Sequence, residues 1–147
     1  MKKLEFSIEI NAAKQQVWNA LWNDAAYRQW TRVFNEGSYM EVKDWREGEK
    51  VYFLSPGGDG MYSTISRYVP EEYVSFLHLG YLKDGKEQPV DNETKSWAGA
   101  TESYSLQEQD GKTLLTATVD ITEDHAAFFN DVFPKGLAIV KQLAEVN

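Results

Sequence analysis

The sequence predicts an α+β domain in which a curved antiparallel sheet of about seven strands wraps a long C-terminal helix. Three observations predict it. From Asp124 onward, Phe129, Phe133, Gly136, Leu137, Val140, Leu143 and Ala144 recur three and four residues apart, which is one apolar stripe of a helix. Asp131, Lys135, Ala138, Lys141, Gln142 and Glu145 fall on the opposite, wet side. Between Gly37 and Ile121, short runs rich in Tyr, Phe, Val, Thr and Ile alternate with turn signals, the mark of an antiparallel meander. A length of 147 residues fits one domain, residues 1–147, able to bury a single core without disulfides or metals.

The elements follow in order. Leu4 to Ile10 alternates apolar and polar residues, as a half-buried strand does. Asn11 is placed to cap a helix whose stripe is Ala13, Val17, Trp18, Leu21 and Trp22. A second short helix, capped at Asn23 or Asp24, presents Tyr27 and Trp30, with Phe34 just beyond. Six strands are then expected near Ser38–Asp44, Lys50–Leu54, Met61–Tyr68, Tyr73–Leu82, Ala100–Gln107 and Thr113–Ile121. In the last of these, Leu115, Ala117, Val119 and Ile121 share a buried face. Lys86–Thr94 is polar and aperiodic, so it reads as a loop leading to Trp97. Pro134 interrupts the final helical pattern, and its missing N–H predicts a kink or restart near Asp131, with Phe128, Phe129 and Phe133 beside it.

Composition narrows the function. Fifteen Lys and Arg lie singly among twenty-three acids, for a net charge of -8, so no basic stripe is available to nucleic acid. Without cysteine there is neither a disulfide nor a thiolate metal site, and the two histidines lie outside any His-Glu-x-x-His arrangement. No cofactor or metal is expected. The acidic turn at Glu5 and the lack of a long apolar run predict a cytoplasmic chain with no integral membrane segment. Pro56-Gly57-Gly58-Asp59-Gly60 superficially suggests a phosphate loop, but Met61-Tyr62 stands where Lys and Ser or Thr are needed.

The order of strand, two short helices, meander and terminal helix resembles the START-like or helix-grip superfamily, also called SRPBCC, over the whole chain. Ile8-Glu9-Ile10-Asn11-Ala12, then Val17-Trp18-Asn19-Ala20-Leu21 and Trp30, resembles the branch named for an activator of the heat-shock chaperone ATPase. So do the Val69-Pro70 turn, Trp97 to Glu102-Ser103-Tyr104, and Pro134-Lys135-Gly136-Leu137. The resemblance implies a cavity between sheet and terminal helix, used by relatives for lipids, hormones or polyketides.

The residues point to a cavity independently, because bulky rings across a strongly curved sheet pack imperfectly. The expected partner is a small apolar molecule, bound without transformation. Its expected lining is Trp30, Phe34, Phe53, Phe76, Trp97, Tyr104, Phe129, Phe133 and Leu137, with His78 and Glu102 as polar contacts. A buried Glu102 needs a partner, and Arg67, on the Met61, Ser63, Ile65 and Arg67 face of its strand, is a candidate for it. Whether His78 shares the inner face, or yields it to Leu77, Leu79 and Tyr81, stays open. Two further readings stand beside this one. His78 could serve as the base of a polyketide cyclase or dehydratase-like enzyme, assisted by Tyr104 or Glu102. Alternatively the domain docks on a chaperone through an apolar patch around Trp18, Trp22 or Trp45. No residue pattern speaks to oligomeric state.

Overall fold

The computed structural model describes residues 1–146. Its strands are β1 (Lys2–Ile10), β2 (Tyr39–Val42), β3 (Lys50–Leu54), β4 (Gly60–Val69), β5 (Tyr73–Lys83), β6 (Lys86–Glu87), β7 (Thr101–Gln109) and β8 (Lys112–Ile121). Its helices are α1 (Lys14–Trp22), α2 (Asp24–Trp30), α3 (Asn92–Lys95) and α4 (Ala126–Glu145), with 3-10 turns at Thr31–Val33 and Glu123–His125. The strands form one antiparallel sheet in the order β1-β8-β7-β5-β4-β3-β2, and β6 pairs only with β5. This is the predicted α+β helix-grip architecture.

The α4 stripe follows the spacing read from sequence. Phe133, Gly136, Leu137, Val140 and Ala144 are buried and Phe129 is half-buried, while Asp131, Lys135 and Ala138 face water. Phe133 stacks on Phe6 of β1 with ring centroids 4.8 Å apart. Gly136 is where α4 comes closest to the chain leaving α2: a Cβ there would sit 3.1 Å from Phe34 and 3.3 Å from the Trp30 carbonyl. A side chain there would force Phe34 or the Trp30 backbone to give by a few tenths of an ångström, so glycine suits this close approach.

Local chemistry sets the element ends. Asn23 Oδ1 accepts from the Ala25 amide at 3.1 Å and caps α2 as expected. The cap of α1 is Ala13 rather than Asn11: the Gln16 side chain reaches back to the Ala13 amide at 3.2 Å, and the Asn11 amide is taken by Glu145 at 2.7 Å. The expected loop at Lys86–Thr94 holds β6 and the start of α3. Asp91 makes that helical turn possible, accepting from both the amide and hydroxyl of Thr94 at 2.8 and 2.7 Å. α4 runs unbroken through Pro134 instead of restarting near Asp131.

Two bulges depart from simple alternation and decide the inner face of the sheet. On β5, pairing with β4 jumps from Tyr62↔Gly80 to Ser63↔His78, which leaves Leu79 extra. On β4, pairing jumps from Ile65↔Phe76 to Arg67↔Ser75, which leaves Ser66 extra. Each extra residue reverses the alternation beyond it. The Ser66 bulge turns Arg67 outward, over the Tyr73 ring at 5.6 Å, and brings Tyr68 inward against Trp18 and Trp45. The Leu79 bulge lets His78 and Tyr81, three residues apart, face the same space.

Candidate functional site

A cavity of about 450 Å³ lies between the sheet, the chain following α2, and the first turns of α4. Its walls are mostly apolar and carry nine Phe, Tyr and Trp rings, with Asn35, Ser38, Ser55 and His125 among the polar lining residues. Trp30, Phe34, Phe53, His78, Trp97, Glu102, Tyr104, Phe129 and Phe133 all line it. Two residues expected there do not. Phe76 is fully buried and packed edge-on against Trp22 and Phe53, and Leu137 is only 1% exposed in the core beneath α4. Both point at the filled part of the interior, one turn or one strand step past the hollow.

The closed end is filled by rings. Trp22 sits at the centre, with Trp45 at 5.5 Å, Phe76 at 5.5 Å, Tyr104 at 5.0 Å and Trp30 at 6.4 Å between centroids. Trp18 leans on Trp22, Trp45 and Tyr68. The expected exposed patch at Trp18, Trp22 and Trp45 is therefore absent: Trp22 is buried and the other two are half-buried against it. The Trp22 Nε1 is a buried donor without an acceptor, which places this indole by packing rather than by hydrogen bonding.

One polar chain enters the cavity. Ser63 Oγ lies 2.6 Å from His78 Nδ1, and His78 Nε2 lies 3.3 Å from Glu102 Oε1. The Tyr104 hydroxyl donates to the other carboxylate oxygen, Oε2. With Ser63 donating to Nδ1, the neutral imidazole carries its proton on Nε2, directed toward the carboxylate side. Ser63 is fully buried, so it orients the ring and is not reachable from the cavity. Glu102 keeps 23% of its side chain exposed, against 8% for His78.

Glu102 faces inward as the strand pattern requires, but its partner is His78 and not Arg67. The Ser66 bulge removes the guanidinium from the inner face, so the carboxylate is held by an imidazole and a phenol instead. Its charge is felt nearby. Burial, then the charge of Glu102 and the hydrogen bond to it, push the Tyr104 hydroxyl well above the ordinary value of 10.0. Burial and then Glu102 raise Tyr27 in the same direction. Both phenols therefore stay protonated throughout the neutral range.

At the rim, Trp97 Nε1 donates to the Tyr81 hydroxyl at 3.1 Å, and the two rings meet edge to face at 4.7 Å. Tyr81, Ser63, Tyr27 and Met61 belong to the site or its support and were not singled out from sequence. Plain alternation sets Tyr81 opposite His78, and in Leu77-His78-Leu79-Gly80 only the glycine hints at the extra residue. The glycine is the one available signal, since an isolated glycine within a strand accompanies bulges and close approaches. Here the Tyr62 ring lies where a Gly80 Cβ would be, 2.7 Å away.

Among the described residues no group of His, Asp and Glu has the arrangement of a metal site, and no helix is long and apolar enough to cross a membrane.

A family model described as Activator of Hsp90 ATPase homolog 1-like protein matches residues 11–138. No curated protein sequence matches the chain. Among solved structures, the Aha1 dimer from Colwellia psychrerythraea superposes with a TM-score of 0.71 at 21% identity, covering 99% of this chain and 98% of that one. DynU16, from the dynemicin biosynthetic locus, gives 0.70 at 11% identity over 99% of this chain and 48% of its own. CalU16 from Micromonospora echinospora gives 0.62 at 17% identity, over 98% and 76%. These similarities establish a shared fold.

Proposed function

The chain belongs to the Activator of Hsp90 ATPase homolog 1-like family, and from that membership we propose that it binds a small, largely apolar molecule between the sheet and α4 without transforming it. The observation that carries this reading is the ring-lined cavity of about 450 Å³ with its polar groups gathered at His78 and Glu102. That volume falls in the range of small-molecule pockets, about 300–1,000 Å³. The rings of Trp30, Phe34, Phe129 and Phe133 would supply most of the affinity, and the polar chain would set orientation. Titration with 1-aminoanthracene, a neutral aromatic fluorophore, tests it. Saturable binding of one equivalent, lost when Ala100→Phe fills the cavity, is the expected result. Unsaturable binding, or binding that Ala100→Phe leaves intact while the near-ultraviolet circular dichroism is native, overturns the reading.

A second reading has one specific observation in its favour, the Ser63, His78, Glu102 and Tyr104 chain. An oriented imidazole beside a carboxylate is suited to moving a proton, as a cyclase or dehydratase-like reaction needs. In that reading His78 takes the other tautomer, donating Nδ1–H to Ser63 Oγ, so that Nε2 is free to accept a proton from carbon next to a carbonyl, and Glu102 stabilises the imidazolium formed. Deuterium exchange into 1-phenyl-1,3-butanedione separates the two readings. Exchange above the buffer rate that disappears in His78→Ala supports the enzyme, whereas exchange at the buffer rate supports simple binding. A chaperone-docking role has the family description behind it, but the tryptophans expected to form its patch are packed together.

A further inference from the structure

The walls of the cavity carry an unbalanced charge. None of its lining residues is Lys or Arg, while two are carboxylates, Glu102 and Asp120. Asp120 is already compensated: Lys3 Nζ lies 2.8 Å from Oδ1, and the amide and hydroxyl of Thr101 each reach Oδ2 at 3.0 Å. Glu102 is different. Its neighbours are a phenol that stays neutral and an imidazole, and among the described residues no Lys or Arg lies within ion-pairing distance of it. The same cavity is lined by Trp30, Phe34, Tyr104 and Phe129, and aromatic ring faces attract cations and repel anions. A net charge of -8 adds a field of the same sign outside.

We propose that this cavity selects its guest by charge, admitting amphiphiles that carry a protonated aliphatic amine, with Glu102 as the counter-ion, and rejecting carboxylates and phosphates. The inference rests on the cavity being the binding site, as proposed above, and adds the chemical class of what enters. An ammonium group reaching Glu102 pairs with a carboxylate that is partly out of water, where screening is weak. The aryl or alkyl body then lies against Phe34, Phe129 and Phe133. A carboxylate guest in the same pose meets like charge and no cation, a mismatch that costs affinity directly.

Three matched probes test the inference at pH 8 through the fluorescence of Trp30 and Trp97, both in the cavity wall. They are 4-phenylbutylamine, 4-phenylbutan-1-ol and 4-phenylbutyrate. The amine should bind at least about tenfold more tightly than the carboxylate, with the alcohol between. Raising sodium chloride from about 0.05 M to about 0.5 M should leave most of that preference, because it originates inside the cavity. In Glu102→Gln the ratio of amine to alcohol affinity should fall to about one. Equal binding of amine and carboxylate, or a preference that vanishes at high salt, overturns the proposal, and so does a ratio unchanged in Glu102→Gln. The salt arm decides the matter without the variant, should Glu102→Gln fold poorly. Failure of all three probes to bind is a different result, since it removes the binding reading itself and the charge preference with it.

Discussion

The two ends of the interior are built from the same aromatic residues and behave in opposite ways. Around Trp22 the rings of Trp18, Trp45, Phe76 and Tyr104 pack edge-on or tilted, and Tyr68 closes on Trp18 and Trp45. Around His78 the rings of Trp30, Phe34, Trp97 and Phe129 line a hollow instead. Composition does not separate them; backing does. The closed end lies under α1, whose Trp18 and Trp22 reach down to the sheet, whereas the open end is bounded by Tyr27 and Trp30 of α2, the chain that follows, and the start of α4, and no residue of α1 lines it. An aromatic ring therefore stabilises the fold at one end and offers surface to a guest at the other.

The sharpest way to break this comparison is to truncate one ring from each end. Trp22→Ala leaves a large cavity in a packed cluster and should cost about 3–5 kcal/mol, read by denaturant unfolding. Phe129→Ala, half-buried at the hollow, should cost about 1 kcal/mol yet weaken 1-aminoanthracene binding. Equal stability losses would mean that both ends are core.

The loop of Gly57 and Gly58 sharpens the comparison at the rim. Gly58 has φ +90°, its carbonyl accepts from the Gly85 amide at 2.8 Å, and an added Cβ would lie 2.7 Å from that nitrogen. Gly58→Ala should therefore cost about 2–3 kcal/mol and detach the β3–β4 loop from the β5–β6 turn. Faster amide exchange at Gly85, a donor in that contact, is the observable that checks it.

Alkali should act through the polar edge of the closed end. Tyr27 and Tyr104 have folded values raised above 10.0, so above pH 10 the unfolded chain releases protons that the folded chain retains. Their stabilising contribution is complete below pH 10 and is lost as pH rises toward the folded values. The slope is about 1.4 kcal/mol per pH unit for each phenol. Tyr104→Phe should flatten that fall in urea melts between about pH 10 and pH 11. The smallest effect belongs to the mouth. Tyr81→Phe removes only the bond from Trp97 Nε1, in a partly exposed pair, and should cost about 0.5 kcal/mol in thermal unfolding.

The same contrast marks what the sequence could disclose. Periodicity located α4 and the main strands, with β3 matched at both ends and β5 and β8 to within one residue, because a buried stripe needs its apolar spacing wherever it packs. It also put Glu102 on the inner face. What alternation could not foresee were the bulges at Ser66 and Leu79, which depend on how two strands register against each other. They account for the replacement of Arg67 by His78 beside Glu102, and for Tyr81 joining the cavity. The assignment of Phe76 and Leu137 to the lining failed for another reason: a face tells which side of a strand or helix is buried, but not where along it the filling stops.

The most direct test of the central claim is amide NMR of the protein titrated with 1-aminoanthracene. Shifts confined to the surroundings of Tyr81, Trp97, Glu102 and Phe129, with Trp18, Trp22 and Trp45 unmoved, are the result expected if the hollow end is the receptor. Perturbation centred on the three tryptophans of the closed end, or none anywhere at saturating probe, would contradict it.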